Sequence, residues 1–143
     1  MICDSIDLIF LIPWISRNDK CSLSIPGISY ITAGLILGEI GDITRFKNSD
    51  SLISYAGLDI EVYESGKYKA TNKSISKKGS KYLRYALYQV AKSIWRFDPS
   101  FNKYYQKKQL ENKHYYVILG HIQNKVIKVI YSVLKTNQPY TPR

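Results

Sequence analysis

From Ser80 onward the sequence carries an apolar stripe that a long amphipathic helix buries best. Tyr82, Leu83, Ala86, Leu87, Val90, Ala91, Ile94 and Trp95 recur at three- and four-residue spacing, which places them along one side of a helix with 3.6 residues per turn. Ser80 stands where an N-cap is needed, and Lys81, Arg84, Lys92 and Arg96 fall towards the other faces. Asp98-Pro99 then ends this helix and opens another over about residues 100–110, with Asp98 as its cap and Pro99 at its first position. A last helix over about residues 115–134 has Ile118, Ile122, Val126, Ile130 and Val133 as its seam. Three consecutive amphipathic helices bury their stripes on one another, which predicts a mainly α fold.

Upstream, Ile25 to Phe46 reads as a Pro-Gly bend, an apolar helix and a second turn at Gly41-Asp42. Pro26 presets φ for a tight turn and Gly27 tolerates positive φ. Ile28, Ile31, Leu35, Ile36 and Ile40 predict one buried face, with Glu39 and Asp42 at or just past its end. The backbone N–H groups at the mouth of such a helix can hold a phosphate; an ordinary helix start in a core explains the same residues. Asn48 or Ser49 is suited to cap a short helix over residues 51–56, with Gly57 as its stop. Ile60 and Val62 then alternate with Asp59 and Glu61, Glu64-Ser65-Gly66-Lys67 signals a turn, and Tyr68 to Ile75 can return as a strand. Ser65 falls near the tip of this hairpin, and from the residues alone Ser65-Gly66 is a plain turn. The expected architecture is mainly α: a helix-hairpin-helix-like start, a small β-hairpin excursion and a three-helix C-terminal part. Residues 1–21 are expected to form an extension, 22–135 the folded domain and 136–143, with two prolines, a frayed tail.

At 143 residues the chain suffices for one domain with its own core. It carries 21 Lys+Arg against 11 Asp+Glu, a formal net charge of +10, which points to a polyanionic partner, nucleic acid or an anionic membrane surface. Its 13 tyrosines add rings that can stack along a groove, although AT-rich coding also raises tyrosine and lysine together. Cys3 and Cys21 have no His or Cys at metal-ligand spacing and read as free thiols of a reducing cytoplasm. His114 and His121 support no metal or triad argument. The apolar run Ile6 to Ile12 is too short to span a bilayer, is followed by Pro13 and lacks a basic leader. Core packing accounts for the stripe of the last helix, so no membrane partner is expected.

The ordered segments IPGI from Ile25, GEIGDITRF from Gly38, SYAGL from Ser54, ESGK from Glu64 and ISKKGSKYLRYAL from Ile75 carry a family likeness. Together they resemble the C-terminal transposase domain of the insertion-sequence one-hundred-and-ten family. These are bacterial DEDD transposases related to the Piv invertases, some of them guided by a bridge RNA. The likeness covers about Leu23 to Leu134, and the chain departs from the family pattern at Ser29, where glycine is usual.

The resemblance implies DNA recombination by a two-part active site. A RuvC-like domain would bind Mg²⁺ through four acidic residues, and the C-terminal domain would supply a serine nucleophile. By motif position that serine is Ser65, with Gly66 beside it. The basic segment maps onto Ser76, Lys77, Gly79, Leu83 and Arg84. Serine needs activation to act as a nucleophile, and the phosphate it attacks needs cations and N–H donors. The nucleic-acid-contacting candidates are Pro26, Gly27, Gly66, Lys67, Lys73, Ser76, Lys77, Lys78, Gly79, Lys81 and Arg84; a solvated basic loop is the plainer account of any single lysine. Nothing before residue 20 resembles a RuvC-like domain, so a C-terminal domain on its own is expected, with no cofactor in this chain. Its expected partners are DNA, a guide RNA and a full-length transposase or second copy. A binding module without chemistry and an inactive transposase remnant are the alternatives.

Overall fold

The stripe on residues 81–97 forms the centre of the packing. In the computed structural model, which describes residues 22–59, 64–65, 68–69 and 75–142, the described residues form five helices, with this stripe on the central one. They are α1 (Tyr30–Ile40), α2 (Ser49–Ala56), α3 (Lys81–Phe97), α4 (Pro99–Leu110) and α5 (Tyr115–Thr136), with a 3-10 turn at Ile43–Arg45. Helix α3 packs against the other four, and α5 closes the far side against α2, α3 and α4. Leu83, Ala86, Leu87, Val90, Ala91 and Ile94 are sealed from solvent and meet Ile118, Ile122, Val126 and Ile130 of α5 in one core. The fold is mainly α, as its periodicity predicts.

Local chemistry explains most helix ends. Asn48 and Ser51 form a reciprocal capping box at α2, and Gly57 ends it with φ +68°. Ser80 accepts from the N–H of Leu83 at the start of α3. Asp98 accepts from the N–H groups of Ser100 and Phe101, and Pro99 opens α4. Between α2 and α3, Glu64–Ser65 (β1) pairs antiparallel with Tyr68–Lys69 (β2), Ser65 opposite Tyr68. The rest of the expected hairpin lies outside the described residues, as does the chain before Ser22.

Three expectations are corrected. Ile31 is 79% exposed and Leu35 38%, whereas Ala33, Ile36 and Ile40 are buried against the core. Helix α1 is apolar nearly all round, so spacing alone does not fix its rotation, and contact with α3 selects the Ala33 side. Tyr82, assigned to the stripe of α3, is 56% exposed because Leu83 and Ala86 fill the contact beside it. The C-terminal tail was expected to fray. Instead, the Tyr140 hydroxyl donates to Asp98 Oδ2 at 2.6 Å and its N–H donates to Ser24 Oγ at 2.7 Å. Asp98 thus ties the tail to the α3–α4 junction. Helix α5 is long and apolar enough to cross a membrane by length and composition, but its apolar face, including Ile118, Ile122, Val126 and Ile130, is buried in this core.

Candidate nucleic-acid interface

A close backbone pairing joins the two ends of the segment that carries Ser65. The N–H of Ser76 donates to the carbonyl of Asp59 at 2.9 Å, and the N–H of Lys77 to that of Gly57 at 3.1 Å. The Ser76 hydroxyl adds a short bond to the Asp59 carboxylate. Gly79 lies so near α2 that a Cβ there would collide with the carbonyl oxygen of Tyr55. A Cβ on Gly57 would sit 2.7 Å from the nitrogen of Gly79. The two glycines therefore let the entry and exit of residues 60–74 run side by side.

A second set of contacts locks this stem to α1 and α3. The Ser80 hydroxyl donates to Glu39 Oε2 at 2.6 Å, and the N–H of Ser80 to the carbonyl of Tyr55 at 2.8 Å. Arg84 Nη1 donates to the carbonyl of Ala56 at 2.9 Å, satisfying an orphan carbonyl at the end of α2. The Tyr55 hydroxyl reaches the carbonyl of Glu39 at 3.3 Å. Glu39, Tyr55 and Asp59 thus have positioning parts that spacing alone does not announce; only the pairing of distant segments brings them together.

The sequence candidates divide accordingly. Ser76, Gly79 and Arg84 belong to the stem and its supports. Lys77 (φ +55°), Lys78 and Lys81 are exposed beside it. Pro26 and Gly27 lie away from the stem: Gly27, at φ +85°, packs on α3, where a Cβ would come 2.8 Å from Ser93 Oγ, and its carbonyl accepts from that hydroxyl at 3.2 Å. At the mouth of α1, Ser29 Oγ accepts from the N–H of Thr32 at 3.3 Å, so one of the donors there is already engaged. Gly66, Lys67 and Lys73 lie outside the described residues. Ser65 sits in the β1–β2 pair.

From the stem, α3 extends a surface rich in cations and rings. It carries Lys81, Arg84, Lys92 and Arg96 and no Asp or Glu. Lys81 Nζ lies 5.0 Å from the ring centre of Tyr82, Lys92 Nζ 5.3 Å from that of Tyr88, and the Arg96 guanidinium 5.2 Å from that of Trp95. Trp95 in turn stacks on Tyr105 of α4, with centres 4.3 Å apart and planes within 8°. Each pairing holds a cation over a ring face at a separation where the two attract. No group of three or more His, Cys, Asp or Glu that could hold a metal occurs among the described residues.

Comparison with known proteins places the chain. Residues 20–106 match the family model described as Transposase IS116/IS110/IS902 family. The pilin gene-inverting protein of Moraxella bovis is 34% identical over 130 residues, covering 88% of this chain and 40% of that protein. The insertion element IS110 uncharacterized 43.6 kDa protein of Streptomyces coelicolor is 28% identical over 120 residues, 84% of this chain and 29% of that protein. The transposase for insertion sequence element IS1111A of Coxiella burnetii is 36% identical over 81 residues, 55% of this chain and 22% of that protein. The chain thus spans well under half the length of these relatives. With the family model matching the α1–α3 body and the Ser65 stem, the chain belongs to the IS116/IS110/IS902 transposase family.

Proposed function

We propose that this chain is the DNA-handling part of an insertion-sequence transposase, with Ser65 as the nucleophile of strand cleavage. The observation that carries this reading is the stem. Backbone pairing of Gly57 and Asp59 with Lys77 and Ser76 joins the two ends of the segment that carries Ser65 at the helical body, where Lys77, Lys78 and Lys81 are exposed. A nucleophile must be held within reach of its target by a fixed support, and a phosphodiester must meet positive charge there. Family membership supports the reaction class, as does the pilin gene inversion named for the Moraxella relative.

In the proposed step the Ser65 hydroxyl gives its proton to a general base and its oxygen bonds to phosphorus. The bond from phosphorus to the leaving sugar oxygen breaks, and that oxygen takes up a proton. The product is a serine–phosphate ester between protein and DNA, which a second strand can attack in turn. The Mg²⁺ implied by the family belongs to a RuvC-like domain. In this proposal the chain's part is to present the serine and hold the strand. DNA, a guide RNA and a full-length transposase or second copy are its proposed partners.

The test is covalent trapping. The chain is mixed with an intact transposase of the family whose own serine is replaced, together with its DNA. A protein–DNA adduct on this chain that vanishes in Ser65→Ala, with binding intact, is the expected result. An adduct that survives Ser65→Ala assigns the chemistry elsewhere. Salt-sensitive binding with no adduct in either form leaves a binding module.

A further inference from the structure

The outward side of α3 has a pattern that strand cleavage at Ser65 does not require. Lys81, Tyr85, Tyr88, Lys92 and Arg96 are spaced four, three, four and four residues apart, which aligns them along one line of the helix. Their line is opposite the buried Leu83, Leu87, Val90 and Ile94. Tyr85 is 57% exposed and neighbouring Tyr82 56%, although burial of a ring this large would stabilise the fold. Rise along the helix makes the line about 22 Å long, room for several nucleotides. No carboxylate interrupts it on α3.

Resting on the nucleic-acid reading above, we propose that this face binds an unpaired polynucleotide strand, its bases stacking on Tyr82 and Tyr85 and its phosphates meeting Lys81, Lys92 and Arg96, while Tyr88 between them is half-buried against the core. The choice of an unpaired strand follows from the rings. A duplex offers its phosphates to any cationic surface, but its base faces are already stacked on one another. Exposed rings gain a partner only when bases are free. The contact of Lys81 with Tyr82 restrains that ring beforehand, so less side-chain freedom is lost on binding. Strand exchange creates such unpaired stretches, and the line begins at the stem that carries Ser65.

The experiment measures binding of the full chain to a short fluorescent oligo-dT and to a duplex of equal length. It compares the wild type with Tyr82→Ala, Tyr85→Ala and Lys92→Gln, and uses poly-glutamate as competitor. Both tyrosines are more than half exposed, so the fold is retained, which circular dichroism verifies. Oligo-dT is expected to bind more tightly than duplex. Loss of either ring should weaken oligo-dT about tenfold while duplex binding stays within about twofold, and Lys92→Gln should weaken both. Ring variants that bind oligo-dT like the wild type overturn the proposal. So do a duplex bound as tightly as oligo-dT, equal competition by poly-glutamate and an absence of binding at low salt. The Ser65 assignment is read by covalent adduct and stands or falls separately.

Discussion

Gly79 and Asp98 concentrate more of the fold's requirements than any apolar residue suggests. Gly79 is needed for closeness, since any side chain there would meet the carbonyl of Tyr55. Gly79→Ala is expected to destabilise the chain by about 2–3 kcal/mol, the range of forced backbone strain, as a lowered midpoint in urea unfolding. Asp98 is buried and joins two helices to the tail. Burial pushes its carboxyl up, but hydrogen bonds from Ser100, Tyr140 and the N–H groups of Phe101 and Ser100 outweigh that and hold it below the usual carboxylate range. A carboxyl depressed by folding stabilises the native state above its unfolded pKa, and that stability is lost as pH falls through the folded pKa. Unfolding free energy should therefore decline on acidification from about pH 4 downwards. In Asp98→Asn that decline should be shallower from a lower plateau. The cap at Asp98-Pro99 was legible in sequence because it is local, whereas the bond from Tyr140, 42 residues away, was not.

Helix α1 shows what periodicity can and cannot decide. Its residues from Tyr30 to Ile40 are almost all apolar or small, so existence and length follow from the sequence but rotation about its axis does not. The Pro26-Gly27 turn docked at Ser93 and the cap at Ser29 bring Ala33, Ile36 and Ile40 inward. Two substitutions separate the faces. Ile36→Ala should cost about 2–5 kcal/mol through lost burial and the cavity left behind. Ile31→Ser should stay within about 0.5 kcal/mol, as expected for an exposed position. Thermal unfolding of the two variants reads the difference. Equal losses would mean that Ile31 is covered. At α3, Ser80→Ala should remove both the cap and the bond to Glu39 and cost about 1–2 kcal/mol.

Taken whole, the molecule sets a strongly cationic surface on a helical body whose core is closed by α3 and α5. If about four phosphates engage Lys77, Lys78, Lys81 and Lys92, the logarithm of affinity for a single strand should fall against that of salt with a slope near −3. Lys81→Glu should reduce that slope without loss of fold. Arg84→Glu should disturb both, because its guanidinium holds the end of α2. The sequence by itself determined the mainly α class, most of the caps and the family likeness, since these rest on neighbours along the chain. It also singled out the basic segment after Ser76. The tertiary structure decided which side of α1 is covered, that the tail is tied to Asp98, and that Ser76, Gly79 and Arg84 build the stem. Each of these depends on a partner tens of residues away, and burial belongs to a pair of surfaces rather than to either stretch alone.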